Sequence, residues 1–138
     1  MLLVRDILRH DAVPVIELAA DEPIESAVAL MGFAGLPALV LIDGRRRAVA
    51  LLTERDIVDY FATPGFETGC RAARVARSAP NDELPQCSSR DRLSTVVRRM
   101  NEENLRAVLV VDGDAGLGLL TQDAVAAAIA KAGTEEPL

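Results

Sequence analysis

Ile24, Ala27, Val28 and Met31 fall at i, i+3, i+4 and i+7, the spacing that lays one apolar stripe along a helix. The pattern predicts a helix with Asp21 as candidate N-cap and Pro23 in its first turn, running to about Phe33. Leu39 to Ile42 is an unbroken aliphatic run with no polar alternation, which predicts a strand buried on both faces. Asp43-Gly44 turns the chain, and Ala48 to Leu52 returns as the partner strand. A further helix is expected from Glu54 to about Ala62, directly after Thr53. Ahead of these, Val4 to Arg9 reads as a short lead-in helix with Val4, Ile7 and Leu8 on one face. Val13 to Leu18 reads as a short strand, with Pro14 near its start, where a missing N–H is tolerable.

The pattern then repeats. Leu93, Val96, Val97 and Met100 answer the first stripe, with Met100 lying 69 residues after Met31. Leu105 to Gly113 answers Leu36 to Gly44, and Gly118-Leu119-Leu120-Thr121 answers Ala50-Leu51-Leu52-Thr53. The second copy predicts a lead-in helix over about Arg71–Arg77, a weak strand around Leu84, and a helix over about Asp91–Met100. Strands over Ala107–Val111 and Leu117–Leu120 follow, joined through Asp112 to Gly116, and an Ala-rich helix over Gln122–Ala132 closes the unit. Thr63 to Gly69 punctuates strongly between the copies. The organisation expected is a first repeat at 1–62, a linker at 63–70, a second repeat at 71–133 and a tail at 134–138. Each repeat reads β-α-β-β-α, an α+β class with helices set against a small sheet. A unit of this size closes a core poorly alone, so the two are expected to pack into one pseudo-two-fold module with sites at their junction.

Composition narrows the function. With three Phe, one Tyr and no Trp, the core must be built from Leu, Val, Ile and Ala. A net charge of −6 repels polyanions and argues against nonspecific nucleic-acid or anionic-membrane binding. No apolar run reaches the roughly 18 residues a membrane span needs, and the N-terminus lacks a signal-peptide pattern, so a cytoplasmic protein is expected. Cys70 and Cys87 are too few and unpatterned for a disulfide framework or a metal site, and read as buried or idle thiols. His10 has no nearby Cys or Ser arrangement and is a poor catalytic or metal candidate. Arg45-Arg46-Arg47 and Arg71, Arg74 and Arg77 are basic clusters best read as solvated faces or partner contacts. The acidic helix start at Asp21, Glu22 and Glu25 suits the helix dipole. There is no nucleophile elbow, Walker loop or dinucleotide fingerprint, and no catalytic constellation.

The junction at Thr53 carries the most chemistry. Free backbone N–H groups and the helix dipole favour an anion there, and a Thr hydroxyl adds a donor for a phosphate oxygen. Asp56, one turn on, offers an acceptor pair to the vicinal hydroxyls of a ribose; charged hydrogen bonds of that kind are worth about 1.5–3 kcal/mol. The same two residues also serve as ordinary capping residues, Thr53 bonding a backbone N–H and Asp56 meeting the dipole. Both readings stand on the residues alone. Arg55 between them either reaches a phosphate or is a solvated helix residue.

The order of elements, with a hairpin entering a Thr-led helix, resembles the CBS domain, and two in tandem resemble a CBS pair, or Bateman module. The carrying residues are the Leu36-Pro37 and aliphatic strand ending in Asp43-Gly44, and Leu51-Leu52-Thr53-Glu54-Arg55-Asp56. The resemblance spans about Val4 to Ala132. It implies a regulatory module that binds an adenosine-containing ligand: AMP, ADP, ATP, S-adenosylmethionine or NAD. Thr53 and Asp56 match the family's phosphate- and ribose-holding positions. Ala34 and Gly35 match the small residues where backbone approaches adenine, and Asp11 to Ile16, with Val13 and Ile16 as apolar contacts, match the other wall of the base pocket. Two departures stand out. Ala50 replaces the family's Gly, and Ala124 stands where the second repeat should carry Asp, leaving Thr121, Asp123 and Arg106 as a weaker second site. The resemblance further implies a disc-like homodimer acting through an effector protein. No enzyme activity, catalytic cofactor or metal is expected. The alternative is a structural or interaction homodimer whose sites have decayed, as Ala50 and Ala124 suggest.

Overall fold

A computed structural model describes the chain except residues 12, 77–83, 114 and 136–138; at residues 10, 11 and 132–135 it describes the backbone alone. Arg77 and Asp114 therefore lie outside the described residues, as do the side chains of His10 and Asp11. The elements are α1 (Val4–Asp11), β1 (Glu17–Ala19), α2 (Ile24–Ala34), β2 (Ala38–Ile42), β3 (Ala48–Thr53), α3 (Glu54–Ala62) and α4 (Ala72–Val75). They continue with β4 (Gln86–Ser88), α5 (Leu93–Glu102), β5 (Ala107–Asp112), β6 (Ala115–Thr121) and α6 (Gln122–Glu135). The α+β class follows directly: two three-stranded sheets, in the orders β1-β2-β3 and β4-β5-β6, each with helices.

The chain divides into two compact units. One is residues 16–85, and the other joins residues 1–15 to 86–138. Each unit thus holds the sheet of one repeat and the lead-in helix of the other. The division cuts the chain elsewhere than the sequence repeat does.

In the unit of residues 16–85, β1 pairs parallel with β2 and β2 antiparallel with β3. Ile24, Ala27 and Met31 of α2 pack with Leu36 ahead of β2, with Leu39, Leu41 and Leu52 of the sheet, and with Ala72 and Val75 of α4. Val28, the fourth member of the expected stripe, is 39% exposed, so the helix buries a narrower face than its spacing suggested. Pro23, extended at φ −64° and ψ 149°, occupies the N-cap of α2, and Asp21 lies outside the cap. At the other end Gly35 adopts φ +65°, and Gly35 and Leu36 both donate their N–H to the Met31 carbonyl, a left-handed C-cap that glycine alone adopts without strain. The hairpin after β2 is held by Asp43, whose carboxylate accepts from the N–H groups of Arg45 (2.8 Å) and Arg47 (2.9 Å). The N–H groups of Arg47 and Arg45 hold its pKa below the ordinary carboxylate value against an opposing effect of burial, with the Arg47 charge a lesser help. The short α4 donates its Ala72 N–H to Glu22 and its Ala73 N–H to Ala20, closing the end of the sheet nearest the hairpin.

The other unit repeats the plan. β4 pairs parallel with β5 and β5 antiparallel with β6, and a bulge between Val110 and Val111 answers one between Leu41 and Ile42. Val4 and Ile7 of α1 are buried here with Leu93, Val96, Met100, Val108, Val110, Leu119 and Leu120. Leu93 donates its N–H to Leu2, and Val4 donates to Asp91, which ties α1 to the start of α5. Asp91 spends its carboxylate on the Ser88 N–H (2.9 Å), so α5 starts at Leu93 rather than at Asp91.

Two expected strands move. Val13–Leu18 is divided: Val13 bridges Leu119 of β6, Ile16 accepts from Val40, and the strand itself is Glu17–Ala19. The strand expected around Leu84 lies at Gln86–Ser88, just past Pro85, which has no N–H to give a ladder. The approach of Val13 also explains the Ala50–Gly118 difference. A Cβ at Gly118 would stand 3.2 Å from Leu8 Cδ2 and 3.4 Å from the Val13 carbonyl, whereas Ala50 packs against the core of its own unit. Cys70 and Cys87 are both free and buried.

Candidate functional site

The first candidate site is built at one end of the sheet of residues 16–85. Ala38 at the start of β2 pairs with Thr53 at the end of β3, and Ile16 lies beside the same end of β2. The α2 C-cap at Ala34–Gly35 delivers the chain to this end, and α3 leaves from it. Glu54 donates its N–H to the Pro37 carbonyl (3.1 Å), fastening the first residue of α3 beside the start of β2. Thr53, Arg55, Asp56, Ala34, Gly35 and Ile16 are therefore brought to one end of one sheet.

Thr53 is the N-cap of α3, extended at φ −103° and ψ 163°. Its hydroxyl accepts from the Asp56 N–H (3.2 Å), while the Asp56 carboxylate accepts from the Thr53 N–H (2.9 Å). This reciprocal capping box satisfies two backbone donors at once. Asp56 is buried, 9% exposed, and Thr53 is half-buried. A hydroxyl that accepts one bond retains its own hydrogen as a donor, so capping and ligand contact are compatible at Thr53. Arg55 is exposed and pairs with Asp59 one turn on (3.1 Å). Ala34 and Gly35 are exposed and leave open space, with no atom within 4 Å of a Cβ built at Gly35. Asp11 and Val13 fall in the other compact unit, Asp11 closing α1 and Val13 bridged to β6.

The second candidate site has half of this apparatus. Thr121 is buried and its hydroxyl accepts from the Ala124 N–H (3.1 Å), as Thr53 does from Asp56. Ala124, 8% exposed, supplies no carboxylate in return. Asp123 is exposed on the neighbouring face of α6. The Arg106 guanidinium donates to Gln122 Oε1 (3.3 Å), and Gln122 Nε2 donates to the Leu105 carbonyl (3.0 Å). Gln122 was not singled out from sequence, although its place in the first turn of α6, matching Glu54, is the signal that marks it. A cavity of about 760 Å³ in the same unit, lined in part by Leu2, Leu93, Val97, Ile129, Arg92 and Arg98, contains none of these candidate residues.

Among the described residues no group of three or more His, Cys, Asp or Glu side chains is placed to hold a metal, and no helix is long and apolar enough to cross a membrane. Burial, followed by the nearby Asp91 charge, pushes the Cys87 thiol up to about 11 against a smaller opposing effect of Arg99. A thiol so disposed is protonated and unreactive at neutral pH.

A family model described as CBS domain matches the chain twice, over residues 4–63 and 76–131. No curated protein matches it significantly. Among solved structures, a putative signal-transduction protein with CBS domains from Burkholderia ambifaria aligns at a TM-score of 0.79 and 21% identity, covering 94% of this chain and 95% of that one. The CBS domain pair of protein MJ0100, in complex with 5′-methylthioadenosine and S-adenosyl-L-methionine, aligns at 0.77 and 20% identity, covering 95% and 98%. A CBS domain protein from Pyrobaculum aerophilum complexed with AMP aligns at 0.76 and 19% identity, covering 96% and 99%. At these identities the likeness is one of fold.

Proposed function

Because this chain belongs to the CBS domain family, with two copies of the domain in tandem, we propose that it is a regulatory module binding an adenosine-containing ligand at the start of α3. The observation that carries this reading is the gathering of Thr53, Asp56, Ala34–Gly35 and Ile16 at one end of one sheet. Asp56 presents a carboxylate to ribose hydroxyls, Thr53 a hydroxyl to the 5′ side, and Gly35 a surface without a side chain to the base. The AMP, methylthioadenosine and S-adenosylmethionine held by similar CBS pairs support that ligand class. ADP, ATP and NAD belong to the same class by their shared adenosine. No residue is assigned an acid, base or nucleophile role, so the output passes to an effector protein. The working form is a cytoplasmic homodimer, and the repeats at 1–62 and 71–133, with linker 63–70 and tail 134–138, are its functional halves. Thr121, Asp123 and Arg106 make the weaker site, for want of a carboxylate at Ala124.

A second reading has one observation in its favour: the capping box already employs both Thr53 and Asp56 in holding α3. On that reading the chain is an interaction homodimer without a small ligand. Calorimetric titration with AMP, ATP, S-adenosylmethionine, methylthioadenosine and NAD separates the two. Binding that is lost in Asp56→Asn, which keeps a capping oxygen, supports the sensor. No heat with any of the five supports the interaction module. Sedimentation velocity tests the dimer in either case.

A further inference from the structure

The two ends of the sheet in residues 16–85 differ in charge. At the candidate site's end lie Glu54 and Asp56 in the first turn of α3, Asp59 one turn later, and Glu17 near the start of β1. Within this unit they are faced there by Arg55, which is paired with Asp59 at 3.1 Å. The other described arginines of the unit sit toward the other end. Arg45, Arg46 and Arg47 form the β2–β3 hairpin, and Arg71 bridges Pro23 at the start of α2, with Arg74 on α4. Acids at that other end, Asp21, Glu22, Glu25 and Asp43, leave it close to balanced.

A helix N-terminus ordinarily attracts phosphate. Here that position is taken by the chain's own carboxylate, since Asp56 accepts the Thr53 N–H, and Glu54 stands beside it. The half-charge of the helix dipole is thereby offset twice. Among the described residues of this unit, a triphosphate extending from a ribose held at Asp56 would lie near the carboxylates of Glu54, Asp59 and Glu17, with one guanidinium, Arg55, already paired to Asp59. A neutral thioether arm meets no such repulsion, and in a sulfonium amino-acid arm the sulfonium and ammonium charges outweigh the one carboxylate.

We propose that this site selects adenosine ligands whose 5′ arm carries no net negative charge, the methylthio and sulfonium class, over 5′-polyphosphates. The proposal rests on the adenosine-site reading of the preceding subsection. The test titrates the full chain with 5′-methylthioadenosine, S-adenosylmethionine and ATP at low and high salt. Methylthioadenosine is expected to bind at least about tenfold more tightly than ATP at low salt. Because a Debye length is about 8 Å at physiological ionic strength, added salt should narrow that gap by improving ATP binding. Asp59→Asn, which frees Arg55, and Glu54→Gln should each raise ATP affinity relative to methylthioadenosine. ATP binding more tightly than methylthioadenosine, or weakening as salt rises, overturns the charge selection and leaves the adenosine reading standing. No binding by any of the three overturns the charge selection, and the titration with AMP and NAD then decides the adenosine reading separately.

Discussion

Asp56→Ala is the most informative single change, because it converts the first capping box into the half-box found naturally at Thr121 and Ala124. The substitution keeps the bond from the residue-56 N–H to the Thr53 hydroxyl and removes the one from the Thr53 N–H to the carboxylate. The side chain is 9% exposed, so water replaces it poorly. Loss of a cap contact costs about 0.5–2 kcal/mol, and loss of an acid beside the dipole about 0.3–1 kcal/mol. Release of a buried carboxylate from its desolvation offsets part of that sum. The net expectation is about 1–2 kcal/mol, or a fall in Tm of about 3–6 °C for a chain of this length. Thermal melts followed by circular dichroism, without ligand, measure it directly. Asp56→Asn, which keeps an acceptor oxygen and drops the charge, should fall between the two. An Asp56→Ala protein melting within about 1 °C of the parent would refute the reasoning, showing that the box contributes nothing to holding α3.

Three other outcomes are expected. Between about pH 9, where an unfolded thiol ionises, and pH 11, where folded Cys87 does, the unfolded state sheds a proton that the folded state keeps. Stability should therefore fall across that window by up to about 2–3 kcal/mol, and urea melts at pH 8 and pH 10.5 should show a smaller fall in Cys87→Ala. Gly35→Ala meets no atom within 4 Å, so its cost is the backbone strain of φ +65° alone, about 1–2 kcal/mol by urea denaturation. Met31→Ala, at a position 5% exposed in the core under α2, should cost about 2–5 kcal/mol in the same assay; a loss under 1 kcal/mol would mean that α2 is not packed as described.

The candidate site was legible in part. Thr53 and Asp56 stand out from residue type and spacing, and the start of α3 falls at Glu54 as expected. What spacing left open was whether the pair caps the helix or meets a ligand, since both uses need the same acceptors in the same first turn. The structure shows the cap formed, at 2.9 and 3.2 Å. The charge around the site was less legible. Glu17, Glu54 and Asp59 are ordinary exposed acids until β1 and α3 are placed at one end of a sheet.

By itself the sequence determined the doubled plan, the helices α2, α3, α5 and α6 to within a few residues, and the two hairpins, β2 with β3 and β5 with β6. These follow from local periodicity, because a stripe at 3.6 or an unbroken aliphatic run needs only neighbours in the chain to declare itself. Only the tertiary structure decided which sheet each lead-in helix covers, why Val13 and Ile16 belong to different ladders, and why Gly118 stands where its partner repeat has Ala50. An apolar face states that it must be buried and is silent about what buries it. That choice is made between segments far apart in the chain, by shape and hydrogen-bond closure that no local pattern records.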